Sequence, residues 1–206
     1  MRFLGLEWGW RLIVHKGKDK EDRKKRLKRI KNAVIIFPWE FIKWRFIQPF
    51  LYRPNVACLL YKKEKRSEYK ILLVERSEFS GHWQLPQGGT DGEDLITAGK
   101  KEAREEIGCD KFEYRASFKK LYKYTFDLQQ EKNIHRGKIC KRHAGYKGQK
   151  QGLFIAEFFG KDEDIKINFW DHSRYKWVDS KKLVDEVHFS RSESAKIFLE
   201  LFNKNL

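Results

Sequence analysis

The chain is poor in cysteine, and the few cysteines that it has are scattered. Cys58, Cys109 and Cys140 are the three among 206 residues, and their spacing does not suggest a disulfide framework. We therefore expect a reducing, cytoplasmic setting, with Cys58 buried as a thiol in an apolar run. Cys140 lies near His135 and His143, which leaves a zinc site open, but a fourth ligand is not evident and a basic loop is the favoured interpretation.

Long hydrophobic runs are also missing. No apolar stretch reaches the ~20 residues that a membrane-spanning helix requires, so we expect no transmembrane segment. The first residues, MRFLGLEWGWRLIVH, have some apolar character, but Glu7 interrupts them and no small-residue cleavage site follows. This pattern argues against a signal peptide. Internal repeats and low-complexity linkers are absent from the sequence as well.

Acidic residues are scarce relative to basic ones. The chain has 45 Lys and Arg against 29 Asp and Glu, which gives a net charge of +16. Residues 1–53 hold 15 of those basic residues and 5 of the acidic ones, so the first quarter of the chain carries more than half of the excess. A balance this basic predicts a polyanionic partner, either nucleic acid or an anionic membrane surface.

Residues 1–51 form a basic, aromatic-rich extension that precedes the domain predicted for residues 52–206. A basic run at 16–31 is followed by an apolar and aromatic stretch at 33–51. Three interpretations of the extension compete. It could form helices packed on the following domain, an arm that contacts RNA phosphates, or an anchor on an anionic membrane surface.

The most informative stretch of the chain is residues 81–108, GHWQLPQGGTDGEDLITAGKKEAREEIG. Its helix-like second half carries Glu102, Glu105 and Glu106, here called the three box glutamates, whose spacings put them on one helical face. Three adjacent like charges repel one another, and a divalent cation with oxygen ligands would explain their proximity. The alternative is a solvated helix with chance spacing. Gly108 is placed as the residue that ends the helix.

This stretch resembles the Nudix box, G-x5-E-x7-R-E-U-x-E-E-x-G-U, in which U is an apolar residue. The match runs from Glu93 through Lys101 to Gly108. Two features depart from the pattern. The loop from Gly88 to Glu93 is one residue short, and Lys101 stands where the family has arginine. In the family that arginine orients the glutamates, and lysine keeps its charge but lacks the planar bidentate fork.

The pattern of apolar runs agrees with the fold that the resemblance implies. Strands are predicted in five places: 54–61, 69–75, 112–126, 150–159 and 175–178. The glycine pair of the box is predicted to form a turn. One helix is predicted within the box and a closing helix at 190–203. Mixed short strands with two helices indicate an α/β fold, and the resemblance implies the Nudix α/β/α sandwich with a mixed sheet.

Further short matches place the resemblance in the subgroup of RNA 5′-pyrophosphohydrolases and diadenosine polyphosphate hydrolases. They are YRPNV at 52–56, WQLPQGG at 83–89, GQKQ at 148–151 and VHF at 187–189. Each match is short and weak by itself. Together they stand in the family's order along most of the predicted domain, which makes the subgroup resemblance persuasive.

The resemblance implies a site for Mg²⁺ or Mn²⁺ held by the three box glutamates, which would also carry catalysis. In the subgroup a further acidic residue after the GQKQ strand completes the site. Asp164 is the nearest match, with Glu163 as the alternative, and the backbone of Gly88 is another candidate ligand. Glu93 is expected to brace Lys101 rather than to bind metal.

The same resemblance implies substrate contacts outside the helix. The candidates are Arg53, Gln87, Gln149, Lys150, Val187 and Phe189. Gln149 and Lys150 can donate hydrogen bonds to phosphate oxygens, and Phe189 offers a ring face for a base. Gly89 and its neighbour would let the backbone approach the phosphates closely. Structural roles stay open as well: Phe189 in the core, Arg53 at a strand end and Lys150 on the surface.

We therefore expect a metal-dependent pyrophosphohydrolase. RNA 5′-triphosphate ends are the leading substrate, and dinucleoside polyphosphates are the alternative. A hypothesis from another class is a Nudix-fold RNA-binding module with little catalysis, which Lys101 and the short loop motivate. The three box glutamates argue against that module, because a domain without catalysis has no need to keep mutually repelling acids together.

Overall fold

The computed structural model describes residues 47, 50–64, 68–126, 146–167 and 171–205. Two sequence-based hypotheses lie outside these residues. They are the role of the N-terminal extension and the cluster of His135, Cys140 and His143. Within the described ranges, no helix is both long and apolar enough to cross a membrane.

A mixed β-sheet forms the centre of the described domain. Its strands are β1 Tyr52–Lys63, β2 Tyr69–Arg76, β3 Trp83–Gln84, β4 Gln87–Gly89, β5 Phe112–Thr125, β6 Gly148–Phe158 and β7 His172–Asp179. The main strand order is β3-β2-β1-β6-β5, and β4 also pairs with β1 while β7 pairs with β2. β1 and β6 run parallel, whereas the other pairs are antiparallel.

Helices cover both faces of this sheet. They are α1 Leu95–Ile107, α2 Leu183–Glu186 and α3 Ser192–Asn205. One core cluster packs α1 against strand residues such as Val56 and Phe154. The other packs Phe202 of α3 against the alternate residues of the same strands, such as Leu59. Because successive side chains of a strand point to opposite faces, each unbroken apolar run contributes residues to both clusters. This is the α/β/α sandwich that the sequence predicts.

The paired glycines belong to a strand and not to the turn that the sequence suggests. Gly88 and Gly89 lie in β4 and pair with β1. The change of direction comes just afterwards, where Asp91 and Gly92 have φ values of 48° and 89°. A three-residue strand gives little local signal, and its partner lies about thirty residues earlier in the sequence. β4 thereby brings the glycines next to the start of α1.

Clear signals mark both ends of α1. Asp94 accepts hydrogen bonds from two backbone N–H groups of the first turn, as an N-cap residue does. At the other end Gly108 adopts a left-handed conformation with φ of 66°, and its N–H donates to the carbonyl oxygen of Arg104. A side chain at Gly99 would collide with Phe154, which shows how closely α1 lies on the sheet. The position of the box glutamates is therefore set by the sheet.

A β-bulge at the start of β7 sets the orientation of its first residues. Glu75 of β2 lies opposite Arg174, but the next residue, Arg76, lies opposite His172, so Ser173 is the extra residue. The hydroxyl of Ser173 donates to Glu75 at 2.6 Å, and Arg174 donates two hydrogen bonds to the same carboxylate at 2.8 and 2.9 Å. The bulge shifts the register by one residue, which places His172 beside the end of β2.

Candidate active site

A cavity of about 730 Å³ opens where β1, β4 and β6 meet α1. Part of its wall is acidic and comes from Glu102 and Glu106 of α1. Another part is aromatic and basic and includes Phe189 and Arg191, which precede α3. Arg53 of β1 also lines the cavity. The basic groups, and cations held by the acidic part, suit the phosphates of a ligand. The aromatic part suits a flat apolar ring of the same ligand.

Most of the substrate residues that the sequence predicts line this cavity. They are Arg53, Gln87, Gln149 and Phe189. Lys150 and Val187 are not among its lining residues. Lys150 is exposed and follows Gln149 in β6, so the two side chains point to opposite faces of the sheet. Val187 is buried in the core cluster beneath α3. The structure therefore does not bring these two residues to the cavity.

Glu102 is the most buried of the three box glutamates, with 8% of its surface exposed. Its carboxylate lies directly against Gly88, where any β-carbon would collide with it. Burial, followed by the negative charges of Glu106 and Glu105, raises the pKa of Glu102 to about 7. Negative charge is thus concentrated at this wall, and such a concentration favours a bound cation.

Glu106 faces His172, a contact that the sequence did not indicate. The Nδ1 atom of His172 lies 2.5 Å from the Oε2 atom of Glu106. His172 is 4% exposed. Both atoms are buried, yet among the described residues neither makes a hydrogen bond of good geometry. Buried polar atoms in native proteins nearly always have partners, so this pair needs a physical explanation.

Glu105 is exposed and is not among the residues that line the cavity. Adjacent helical positions differ in direction by about 100°, so Glu105 and Glu106 cannot point the same way. Within the described part of the chain, no three His, Cys, Asp or Glu side chains converge closely enough to hold a metal ion. The structure thus brings Glu102 and Glu106 to the cavity and leaves Glu105 outside it.

Asp164 lies away from the cavity, contrary to its expected role as a metal ligand. Its carboxylate accepts hydrogen bonds from the Lys111 ammonium and from the backbone N–H of Lys161, each at 2.7 Å. The Lys111 hydrogen bond and the Lys161 N–H lower the pKa of Asp164. Asp164 therefore joins a short turn to Lys111, the residue that precedes β5. Glu163, the alternative, is exposed and does not line the cavity either.

Asp171 is the acid from this part of the chain that does line the cavity. Its carbonyl oxygen accepts a hydrogen bond from the N–H of Ser77 at 3.0 Å, so its main chain is held beside the end of β2. Sequence reasoning missed this residue, which lies seven positions after Asp164. Spacing alone does not show which acid returns to the cavity. The predicted strand at 175–178 begins three residues later than β7 does, so it did not reveal that Asp171 lies beside the sheet.

Arg53 and Gln149 lie side by side, as parallel pairing of β1 with β6 requires. The guanidinium of Arg53 lies against Gly89 and is 3.5 Å from the carboxylate of Asp91. The side-chain oxygen of Gln149 accepts a hydrogen bond from the hydroxyl of Tyr124 at 2.6 Å. That bond turns the amide group of Gln149 so that its NH₂ is free to donate elsewhere. The two residues together suit phosphate oxygens.

The contact of Lys101 differs from the expected one. Its ammonium lies 3.9 Å from the carboxylate of Asp91, and the described contacts include no pair between Lys101 and Glu93. Glu93 is exposed, and its N–H donates to the carbonyl oxygen of Thr90 at 2.8 Å. The predicted brace is therefore made by Asp91 instead. A solvent-exposed pair at this distance contributes little to stability.

A network of buried amides supports Gln87, and sequence reasoning did not predict it. The side-chain NH₂ of Gln151 donates to the oxygen of Asn55 at 3.0 Å and to that of Gln87 at 2.7 Å. The NH₂ of Gln87 in turn approaches the oxygen of Gln84 at 3.5 Å. Because the amides lie on different strands, the network forms only when the sheet has formed. It orients Gln87 in the cavity wall.

A stack of aromatic rings forms the wall near α3. The rings of His82 and His188 are stacked with centroids 4.0 Å apart, and that of Phe189 lies 4.2 Å from His188. Burial, followed by nearby positive charge, lowers the pKa of His82 to about 3. Phe189 is 76% exposed, so it is not a core residue. An exposed ring on a supported stack offers a face to a base.

The comparison with known families agrees with this arrangement. Residues 51–201 match the model of the NUDIX domain. The chain belongs to the Nudix family. It is a hydrolase that cleaves pyrophosphate bonds, and two relatives named RNA pyrophosphohydrolase agree with this activity.

Two relatives show how far the similarity extends along this Nudix chain. An RNA pyrophosphohydrolase of Wolbachia pipientis subsp. Culex pipiens (strain wPip) is 34% identical over 156 residues, which cover 74% of this chain and 90% of the relative. An RNA pyrophosphohydrolase of Campylobacter jejuni subsp. doylei (strain ATCC BAA-1458 / RM4099 / 269.97) is 32% identical over 149 residues, with coverage of 71% and 90%.

Solved structures confirm the Nudix fold. A C. elegans Ap4A hydrolase binary complex aligns with a TM-score of 0.51 at 16% identity, covering 74% of this chain and 98% of that one. The Nudix hydrolase RenU from M. smegmatis aligns with a TM-score of 0.52 at 15% identity, covering 75% and 90%. At these identities the likeness concerns the fold alone, which is the predicted α/β/α sandwich.

The acidic wall fits the divalent metal ions that Nudix hydrolases generally use. Glu102 and Glu106 supply oxygen ligands of the kind that hard cations prefer. Gly88 leaves space for the carboxylate of Glu102, since any larger residue would displace it. The raised pKa of Glu102 indicates that its negative charge lacks full compensation from the protein. A cation would supply that compensation.

Proposed function

We propose that this Nudix hydrolase acts on RNA 5′-triphosphate ends with Mg²⁺ or Mn²⁺. One observation carries the proposal: the exposed ring of Phe189 lines the same cavity as the carboxylates of Glu102 and Glu106. A ligand that uses both walls must have a base and a chain of phosphates. The relatives named RNA pyrophosphohydrolase support RNA as that ligand.

We expect the cation at Glu102 and Glu106, with Glu105, Asp171 and the backbone of Gly88 as further ligands. Glu105 is included because of its place in the box, although its exposed side chain does not line the cavity in the described structure. A divalent cation bound there would neutralise phosphate charge and lower the pKa of a bound water. All of the expected ligands are oxygen atoms, which suits Mg²⁺ and Mn²⁺ better than softer metals.

The residues of the chain have separate tasks in this proposal. Arg53 and Gln149 hold phosphate oxygens, because both can present N–H donors to the cavity. Phe189 stacks on a base of the RNA and so orients the 5′ end. One of the box glutamates accepts the proton of the water that attacks the α-phosphorus. The P–O bond to the β-phosphate then breaks, and pyrophosphate leaves the RNA with a 5′-monophosphate end. Lys150 would contact phosphates only outside the cavity.

Two wider proposals accompany this function. We infer a cytoplasmic location, because Cys58 and Cys109 are both free thiols in the described structure. The second proposal concerns the role of the N-terminal extension. We keep three hypotheses for it: its basic run contacts RNA, it packs on the domain, or it contacts an anionic membrane surface. The residues that would decide between them are not among the described ones.

One assay tests the function directly. The full-length protein is incubated with Mg²⁺ or Mn²⁺ and with triphosphorylated RNA, diadenosine tetraphosphate or a free nucleoside triphosphate, and the products are separated by chromatography. We expect kcat/KM to be highest on the RNA, with a 5′-monophosphate end as product. Faster hydrolysis of diadenosine tetraphosphate would favour the dinucleotide alternative. Binding of RNA without hydrolysis of any substrate would favour the RNA-binding module.

A further inference from the structure

The contact between Glu106 and His172 concerns how a candidate metal ligand is held, which is a separate question from the substrate. The Nδ1 and Oε2 atoms lie 2.5 Å apart, and the side chains are 5% and 12% exposed for His172 and Glu106 respectively. No other described group is a hydrogen-bond partner of either atom. The two atoms are thus within hydrogen-bonding distance of each other, and an N–H on Nδ1 that pointed at Oε2 would satisfy both.

The main chain holds His172 firmly in this place. It begins β7, where it lies opposite Arg76 of β2 because of the bulge at Ser173. The residue before it, Asp171, has its carbonyl oxygen bound by the N–H of Ser77 at 3.0 Å. The main chain is thus held at His172 and at the residue before it, which fixes the point from which the imidazole extends toward α1.

Glu106 needs such a support because its neighbours repel it. Glu102 and Glu106 lie four residues apart on α1 and line the same cavity, so their carboxylates are neighbours on one face of the helix. Without a donor on one side, Glu106 would be free to rotate away from Glu102. An N–H group on Oε2 would restrict that rotation and leave the second carboxylate oxygen for a cation. Hydrogen-bonded supports of this kind commonly orient metal ligands.

We propose that His172 is a positioning residue, whose Nδ1–H holds Oε2 of Glu106 and so presents the carboxylate to the divalent cation. His172 would act through Glu106 and not on the substrate or the metal itself. The proposal rests on the proposed function in one respect, since it takes Glu106 as a metal ligand. It predicts that His172 affects the affinity for the metal before any substrate is bound.

Three substitutions of His172 distinguish a residue that positions Glu106 by a hydrogen bond from one that only fills space. His172→Phe keeps a ring of similar size but removes the donor. His172→Asn places an amide nitrogen on the same carbon that carries Nδ1, and His172→Gln moves that nitrogen one bond further along the side chain. Only the asparagine variant keeps a donor near the position of Nδ1. All three are compared with the wild type by thermal melting.

The measurement is a titration of full-length protein with Mn²⁺, in which electron paramagnetic resonance detects the free ion. We expect His172→Phe and His172→Gln to weaken Mn²⁺ binding by about 10-fold or more. We expect His172→Asn to stay within about 3-fold of wild type, since it retains the donor. Wild-type affinity in the phenylalanine variant would overturn the proposal, and so would an asparagine variant as weak as the glutamine variant.

The asparagine and glutamine variants keep the comparison decisive if the phenylalanine variant does not fold, because both are polar and differ only in reach. His188→Phe is the matched control. It removes another imidazole that lines the cavity, one whose Nδ1 lies 2.9 Å from the hydroxyl of Ser190, and we expect unchanged Mn²⁺ affinity.

A second comparison distinguishes failure of this proposal from failure of the proposed function. Glu106→Gln removes the ligand charge, and His172→Phe should then cause no further loss in the double variant. Mn²⁺ affinity that is unchanged by Glu106→Gln would show that the metal site is assigned wrongly. Weaker binding in Glu106→Gln with wild-type binding in His172→Phe would refute only the positioning role.

Discussion

The carboxylate of Glu102 lies against the α-carbon of Gly88, in the space that any side chain at that position would occupy. The contact joins β4 to α1 at the acidic wall of the cavity. Glycine is required here because of space and not because of backbone conformation, since the φ of Gly88 is not positive. The short strand β4 and the helix therefore depend on each other for the position of a candidate metal ligand.

Gly88→Ala should displace the Glu102 carboxylate while leaving the fold in place. We expect kcat/KM on triphosphorylated RNA to fall by about 10- to 100-fold, as for other disturbances of metal ligands. Thermal melting provides the control, because a local shift of one side chain should change the melting temperature only slightly. Full activity in Gly88→Ala would show that the carboxylate moves without consequence.

Glu106→Gln should lower turnover by about 10²- to 10⁴-fold, because it removes a candidate ligand and proton acceptor from the cavity wall. The matched control is Glu200→Gln, since Glu200 is an exposed acid on α3 that does not line the cavity. Rates are measured on RNA at saturating Mg²⁺. Wild-type turnover in Glu106→Gln would show that the acidic wall is not the catalytic one.

Phe189→Ala should weaken RNA hydrolysis much more than hydrolysis of a free nucleoside triphosphate. Stacking of a base on an aromatic ring is worth about 1–3 kcal/mol, which corresponds to roughly a 5- to 150-fold change in kcat/KM. The control variant is Phe159→Ala, because Phe159 is 67% exposed and does not line the cavity. Equal losses on both substrates would indicate a structural role for Phe189.

The stability of the fold should decline in acid partly through Glu75. Hydrogen bonds from Arg174, Ser173 and the N–H of Gly81 lower the pKa of Glu75 from 4.5 to about 2. Because the folded-state pKa lies below the unfolded one, the stabilisation is complete above about pH 4.5 and disappears as the pH falls through about 2. Glu75→Gln should flatten the pH dependence of unfolding between these values, measured by urea denaturation.

Removal of residues 1–51 should lower the melting temperature, because aromatic-rich stretches are more often buried than exposed. Solubility, RNA affinity and vesicle binding of the truncated protein are compared with those of the whole chain. A stable truncated protein that binds long RNA more weakly, with a shallower salt dependence, would favour the RNA arm. Lost affinity for anionic vesicles with unchanged RNA binding would favour the membrane hypothesis.

The sequence by itself determined the features that depend on neighbouring residues. The spacing of the three box glutamates predicted the helix, and Gly108 predicted its end, because helical periodicity and a left-handed cap are local properties. Apolar runs predicted the longer strands, which the structure contains. Arg53, Gln149 and Phe189 were predicted through short family matches, and all three line the cavity.

The tertiary structure decided the features that depend on distant pairing. Asp171 lines the cavity in place of Asp164 because the chain returns to β2 only at the start of β7. His172 meets Glu106 because a bulge of one residue shifts the register of that strand. Lys150 points away from the cavity because its partner strands fix which face of β6 is turned toward it. Side-chain direction in a sheet reverses with every residue, so a shift of one position changes which groups meet.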